Sequence, residues 1–402
     1  MRTRRLMALF LCSFAILFVG FGLFPLLPVY AAEFGATPTL IGFYLAVTYV
    51  AITVGNLLTG WLSGRAPRKI VFVTAGVIGA LALFLMGQAM ALWQVVALTS
   101  VVWFTGGIGL SLINVFIGLY AEESSRGKWF SLVALTNPLG AVIGGSAVAW
   151  MVAWQGYPRM FILLGLVYAV WPLVGLWKVQ DKMIAKVTKP GATRSASLRP
   201  GRSYHLLLLA VLLSAMTISV VRMGLSLSMK AFDFTPAAIA GANVVGGLVT
   251  IPVVLGFGAL SDRLGRKLFL ALGYFMAALS GVSLMMAGRL WHFWIVAAAI
   301  LVARTIGGSL ASALATDILP PETLGRSLPM LGTMNWAAGV LGFAGSGYMI
   351  EIVGASNLYL MVTLLALVAA GLTGTLSGRR QEAIPDQEGQ RLECLNPSVE
   401  VS

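Results

Sequence analysis

Gly258-Ala-Leu-Ser-Asp-Arg-Leu-Gly-Arg-Lys267 forms a short polar turn between two long apolar runs, and Gly60-Trp-Leu-Ser-Gly-Arg-Ala-Pro-Arg-Lys69 stands between two others 198 positions earlier. Working outward at that offset, without a gap, Phe34, Thr37, Pro38 and Ile41 meet Phe232, Thr235, Pro236 and Ile239. On the other side, Gly127, Asn137, Gly144 and Gly156 meet Gly325, Asn335, Gly342 and Gly354. A register kept over so long a stretch marks an internal duplication. Parallel repeats around a central path are an architecture of secondary transporters; a channel or an enzyme does not require them.

The composition sets the surroundings. Of 402 residues, 58% are apolar and 10% charged, with a mean hydropathy of +0.90, where a soluble domain has about 45–50% and about 25%. A bilayer-crossing helix needs about 20 apolar residues. Twelve apolar segments are predicted, at 7–32, 39–61, 70–90, 93–120, 129–153, 159–178, 205–229, 237–260, 268–288, 292–317, 328–350 and 357–376. The chain is therefore read as an all-α polytopic membrane protein without a soluble domain. Met1–Arg5 and the apolar run after it are read as a first helix rather than a removed signal, because the run continues to Ala32 with no small-residue cleavage site.

The net charge of +13 points to basic cytoplasmic loops rather than to nucleic acid. With both termini placed in the cytoplasm, 22 of the 27 Lys and Arg fall on the cytoplasmic side. The expected organisation is a six-helix bundle over 1–177, a basic linker over 178–204, a second six-helix bundle over 205–376 and a disordered tail over 377–402. With 2 Cys and 2 His, no disulfide, metal site or cofactor is implied.

The second ten-residue stretch resembles the loop signature of the major facilitator superfamily, Gly-x-Leu-Ser-Asp-Arg-x-Gly-Arg-Arg/Lys, found between helices 2 and 3 and again between helices 8 and 9. The resemblance covers about 7–376 and implies the major facilitator fold, two pseudo-symmetric six-helix bundles. It also implies a gating motif of Gly60, Arg65 and Arg68 in the first copy and Gly258, Asp262, Arg263, Gly265, Arg266 and Lys267 in the second. In the family the aspartate latches a gate against a helix start of the other half, here near Trp129–Ser131. The first copy departs from the pattern, with Gly64 for the aspartate and Pro67 for the glycine. Glu122 or Glu123 is the alternative partner for Arg65 or Arg68, and Asp317 for Arg263 or Arg266. Pro25-Leu-Leu-Pro28 and Asn137-Pro138…Gly144-Gly145 are similar to elements of twelve-helix drug/proton exporters, and the match is partial.

Arg222 and Arg304 lie within apolar segments, and no Asp or Glu lies at comparable depth. An unpaired charge facing lipid costs at least about 2.5–3.5 kcal/mol, so both are expected to face a water-filled cavity. In the family helices 1, 4, 7 and 10 line that cavity, and helices 7 and 10 carry these arginines. The candidate substrate-binding residues are Arg222, Arg304, Asn114, Asn243, Tyr49 and Trp336. Asn56, Asn137 and Asn335 could also line the path, with helix–helix hydrogen bonding as the competing role.

The function expected is secondary transport of a small organic solute by alternating access, as efflux of an anionic or amphipathic compound. Uptake or exchange of an organic anion is the alternative, and a non-transporting receptor on the same fold is the alternative of another class. An enzyme is excluded by the lack of convergent nucleophiles or acids in the helices. The partners expected are the small-molecule substrate and membrane lipid, with coupling to a proton or counter-ion left open. The chain is expected to act as a monomer in the cell membrane.

Overall fold

The computed structural model describes residues 2–122, 125–180, 201–319 and 321–376. The interior of the predicted linker, 181–200, and the tail, 377–402, lie outside the described residues. Ten apolar helical spans are clear: α1 (Thr3–Glu33), α2 (Pro38–Arg65), α3 (Arg68–Met86), α4 (Leu92–Tyr120), α7 (Arg202–Ala231), α8 (Pro236–Leu264), α9 (Arg266–Met285), α10 (Leu290–Ile318), α11 (Pro321–Val353) and α12 (Ala355–Gly374). Between α4 and α7 lies a single apolar run of 51 residues, Lys128–Lys178. At about 1.5 Å per residue it would be about 77 Å long, far more than the roughly 30 Å of a bilayer core. Gly156 breaks it with φ +68°, a left-handed conformation that glycine adopts without strain. We number the two parts α5 (128–155) and α6 (157–178).

The packing shows that the chain reverses at Gly156. Gly140 and Gly144 of α5 lie against Leu17 and Phe18 of α1, so these two helices run parallel. Down α6, Pro158, Tyr168 and Pro172 meet Gly87, Gly79 and Gly76, so α6 runs antiparallel to α3. Twelve crossings result. The repeat position of Gly156 is Gly354, which also has a positive φ (+82°) and separates α11 from α12.

Local chemistry repeats as well. Thr37 caps α2 by accepting from the Leu40 N–H, and Thr235 caps α8 by accepting from the Ala238 N–H. Each is followed by proline at the first helical position, where the missing N–H costs nothing. In residues 2–180, the N-terminal half, α1 packs on α5, α2 on α4 and α3 on α6; in 201–376, the C-terminal half, α7 packs on α11, α8 on α10 and α9 on α12. The helix starting at Arg202 extends into the stretch read as linker, because Tyr204 is buried and donates to the Ser327 carbonyl at 2.7 Å.

Across the halves, α2 packs on α11 and α5 on α8. Two interruptions shape the centre. In α1, Pro25 produces a tight 3-10 turn over Phe24–Leu26. In α5, Gly140–Gly144 form a π-helical turn, a local widening frequent at functional sites.

Candidate substrate cavity

The centre of the bundle begins with a missing hydrogen bond. Pro25 has no N–H, so the carbonyl of Phe21, four residues earlier, loses its helical partner. Asn243 of α8 supplies one: its Nδ2 donates to Phe21 O at 3.0 Å, in a buried position. Phe21, just before the break in α1, and Phe24, within it, both line a cavity of about 210 Å³.

Two charged residues stand on that wall, Arg222 from α7 and Arg304 from α10, and no carboxylate lines it among the described residues. Arg222 is 9% exposed. Its Nη1 donates to the Tyr49 hydroxyl at 3.0 Å, and its guanidinium lies 3.7 Å from the centre of the Phe24 ring. Tyr49 and Phe24 belong to the N-terminal half, so this arginine ties the halves together by a charge-assisted hydrogen bond and a cation–π contact. Tyr49 is itself fixed edge-on against Trp336 and Phe343 of α11. Arg304 is held less tightly. Its guanidinium lies 4.9 Å from the Phe21 ring centre, and no hydrogen bond or ion pair to it is found among the described residues. It lines the central cavity, a chamber of about 140 Å³ within the C-terminal half, and a cleft of about 410 Å³ between α5, α8 and α10.

The cavity is sealed at one end. There Gly42 and Gly347 bring the backbones of α2 and α11 into contact, and Gly145 and Gly247 let α5 and α8 pack closely against the side chains of Val244 and Val142. The Thr39 N–H donates to Glu351 Oε1 at 3.0 Å, placing a carboxylate from one half at a helix N-terminus of the other, where the helix dipole favours it. Lys230 Nζ donates to the Val29 carbonyl at 3.3 Å. At the opposite end, which carries Arg65, Arg68, Arg263 and Lys267, Leu57 is 72% exposed and Gly60 and Gly332 face open space. The bundle is open at its basic end.

A sequence model of the Major Facilitator Superfamily matches residues 9–303 and 207–396. The chain belongs to this superfamily. It is a multi-pass membrane protein and a secondary transporter. Multidrug resistance protein MdtH of Salmonella choleraesuis (strain SC-B67) is 19% identical over 351 residues, covering 84% of each chain. Multidrug resistance protein MdtG of Proteus mirabilis (strain HI4320) is 22% identical over 327 residues, covering 76% of this chain and 79% of its own. The fold is similar to that of the nucleoside transporter NupG (TM-score 0.76, 15% identity, 92% of this chain and 99% of that one). It is also similar to a bacterial homologue of the lysosomal transporter Spinster in an inward-facing, unoccupied conformation (TM-score 0.70, 14% identity, 92% and 96%).

Four of the six residues selected from sequence, Arg222, Arg304, Tyr49 and Trp336, share the central cavity. Asn243 does not line it, being committed to the α1 backbone beside a small neighbouring void. Asn114 lies in an adjoining recess of about 340 Å³ with Ser13 and Phe130. Asn56 accepts from Ser111 at 2.7 Å, a helix–helix bond. Asn137 and Asn335, for which path lining and helix–helix bonding were both open, face cavities. Sequence reasoning missed Phe21, Phe24 and Trp103 on the wall. The repeat offset was the available signal for one of them, since Phe24 is the position equivalent to Arg222.

Of the superfamily's loop motif, Gly265 ends α8 with φ +104°. Arg266 pairs with Asp317 at 2.9 Å, both in the C-terminal half, so this pair does not bridge the halves. Arg65 stacks at 3.9 Å over Trp61. Arg68 and Lys69 open α3, while Arg263 is exposed at the end of α8. Gly258 and Asp262 lie on α8; the side chain of Asp262 is outside the described ones, as is Glu123 as a whole, so the expected latch to Trp129–Ser131 falls outside the described residues.

Proposed function

We propose that this transporter carries small amphipathic organic anions by alternating access, rocking two six-helix bundles about the central cavity, and that it exports them. The basic end is the cytoplasmic one, with both termini there, in keeping with the excess of Lys and Arg in its loops. The open end is then the inward-facing gate. One observation carries the reading: two arginines stand on an aromatic wall with no carboxylate to neutralise them among the described residues. At about 4 Å and an effective dielectric near 20, an anion beside one such charge gains about 4 kcal/mol before desolvation. Phe21, Phe24, Trp103 and Trp336 offer apolar faces for the rest of the cargo.

Export is supported by the names of the multidrug resistance relatives. Exchange of one anion for another is the second reading, favoured by the same lack of a carboxylate on the wall to carry a proton. The open gate supports transport over a sealed receptor. The transporter is proposed to act as a monomer.

Thermal unfolding of the purified protein against anionic, cationic and neutral amphipaths tests the reading. A ligand at about 100 times its Kd stabilises by roughly 2.7 kcal/mol if it binds only the folded state. Selective stabilisation by anions is expected. Selective stabilisation by cations would contradict it and make the arginines structural.

A further inference from the structure

The two halves share a backbone plan, yet one is filled where the other is hollow. In the N-terminal half the indole of Trp171 lies over Gly76 and Gly109, and the Tyr168 ring lies against Gly79 and Gly106. Moved by the repeat offset, Trp171 and Tyr168 become Ala369 and Ala366, and Gly76 becomes Tyr274. The bulk that α6 supplies in one half is thus supplied in the other by α9 alone, and Tyr274 covers only Gly307. What is left is the 140 Å³ chamber between α7, α9, α10 and α11.

Its wall is polar in a specific way. Ser214 of α7 and Tyr274 of α9 line it, and the hydroxyl of each is buried with no hydrogen-bond partner. Buried hydroxyls are ordinarily paired, so two orphans at one chamber mark an unmet demand. Arg304 and Asn335 complete the wall. At the equivalent positions of the N-terminal half stand Ile16, Gly76, Gly106 and Asn137, so three of these four polar groups exist on one side only. Arg304 also faces the central cavity, which makes it the door between the two spaces. Arg222, in contrast, already spends its guanidinium on Tyr49 and Phe24.

We propose that this chamber is the head-group subsite: Arg304, Tyr274, Ser214 and Asn335 receive the carboxylate, sulfonate or phosphonate of the cargo while its apolar body lies in the aromatic cavity. A guanidinium, two hydroxyls and an amide are donors suited to an oxyanion. At about 140 Å³ the chamber is smaller than the aromatic cavity of about 210 Å³ beside it. The proposal rests on the anionic-cargo reading above.

The test is equilibrium binding of 2-naphthoate and its neutral isostere 2-naphthamide to the full chain in detergent. The variants are Ser214→Ala, Tyr274→Phe, Gly308→Val and Arg222→Gln. The first two remove one oxygen each. A Cβ at Gly308 meets nothing within 4 Å, so valine there fills the chamber without a clash at the backbone. Wild-type protein is expected to prefer naphthoate. Tyr274→Phe and Ser214→Ala should each weaken naphthoate about tenfold, the scale of one hydrogen bond to a charged group, and leave naphthamide unchanged. Gly308→Val should abolish the preference. If the wild type prefers naphthoate and only Arg222→Gln removes that preference, the head group sits at Arg222 and the subsite is wrong while the anionic reading stands. If the wild type shows no preference, the anionic reading fails and takes the subsite with it.

Discussion

At the end of the bundle near Thr39 and Glu351, the halves meet backbone to backbone through Gly42 and Gly347; at the end near Gly60 and Gly332, the same helices face open space. The polar contacts divide the same way. Bonds from Thr39 to Glu351 and from Lys230 to Val29 cross between the halves near the closed end. Those of Arg5 with Gln180, Tyr204 with Ser327 and Arg266 with Asp317, at the open end, stay within a half. The closed end is therefore sealed mainly by shape, with small residues allowing close approach and charge adding a smaller increment.

This contrast can be broken in order of expected effect, with a buried reporter, Ala46→Cys in α2, whose maleimide reactivity reads the opening of the closed end. Gly347→Leu should act most strongly, because a side chain there drives into the Pro38 backbone. Overpacking of this kind costs about 1–3 kcal/mol, enough to raise reporter labelling tenfold or more and to abolish flux. Normal flux would mean that the backbone contact is incidental. Arg222→Gln comes next. Losing a hydrogen bond from a charged group costs about 1.5–3 kcal/mol, so labelling should rise about tenfold, with Tyr49→Phe giving part of the same change.

Asn243→Ala should lower thermal stability by about 1–3 kcal/mol, the cost of leaving the Phe21 carbonyl unpaired, without changing which ligands bind. A change in selectivity would return Asn243 to the binding wall. Glu351→Gln removes a carboxylate from a helix N-terminus, worth about 0.3–1 kcal/mol, so labelling should rise two- to fivefold. Asp317→Asn should leave the reporter unmoved, since its pair with Arg266 is exposed and internal to one half, and such pairs contribute about 0–1 kcal/mol. A shift as large as that of Glu351→Gln would place Asp317 in the gate.

Much of the fold was legible because the repeat is written in residues with strong local consequences. Thr-Pro starts α2 and α8, and Gly156 and Gly354 make the turns from α5 to α6 and from α11 to α12. The arginines were legible because charge is conspicuous in an apolar helix. The bond from Asn243 to the Phe21 carbonyl was not foreseen, because an amide looks the same in sequence whether it faces a ligand or an orphaned carbonyl; Pro25, four residues after Phe21, was the clue. The aromatic wall was illegible for the opposite reason. Phe21 and Phe24 are ordinary in a membrane helix, and nothing in their residue type shows that both line the cavity. The hollow of the C-terminal half needed both repeats at once, since Ala366 and Ala369 say nothing until set beside Tyr168 and Trp171.

The most direct measurement is protein-dependent flux of 2-naphthoate and 2-naphthamide in proteoliposomes, with wild-type protein and with Arg304→Gln. Saturable flux of naphthoate is expected, lowered at least about tenfold in Arg304→Gln by loss of one charge-assisted contact, with no protein-dependent flux of naphthamide. Equal flux of both compounds, unaffected by Arg304→Gln, would contradict the anionic reading.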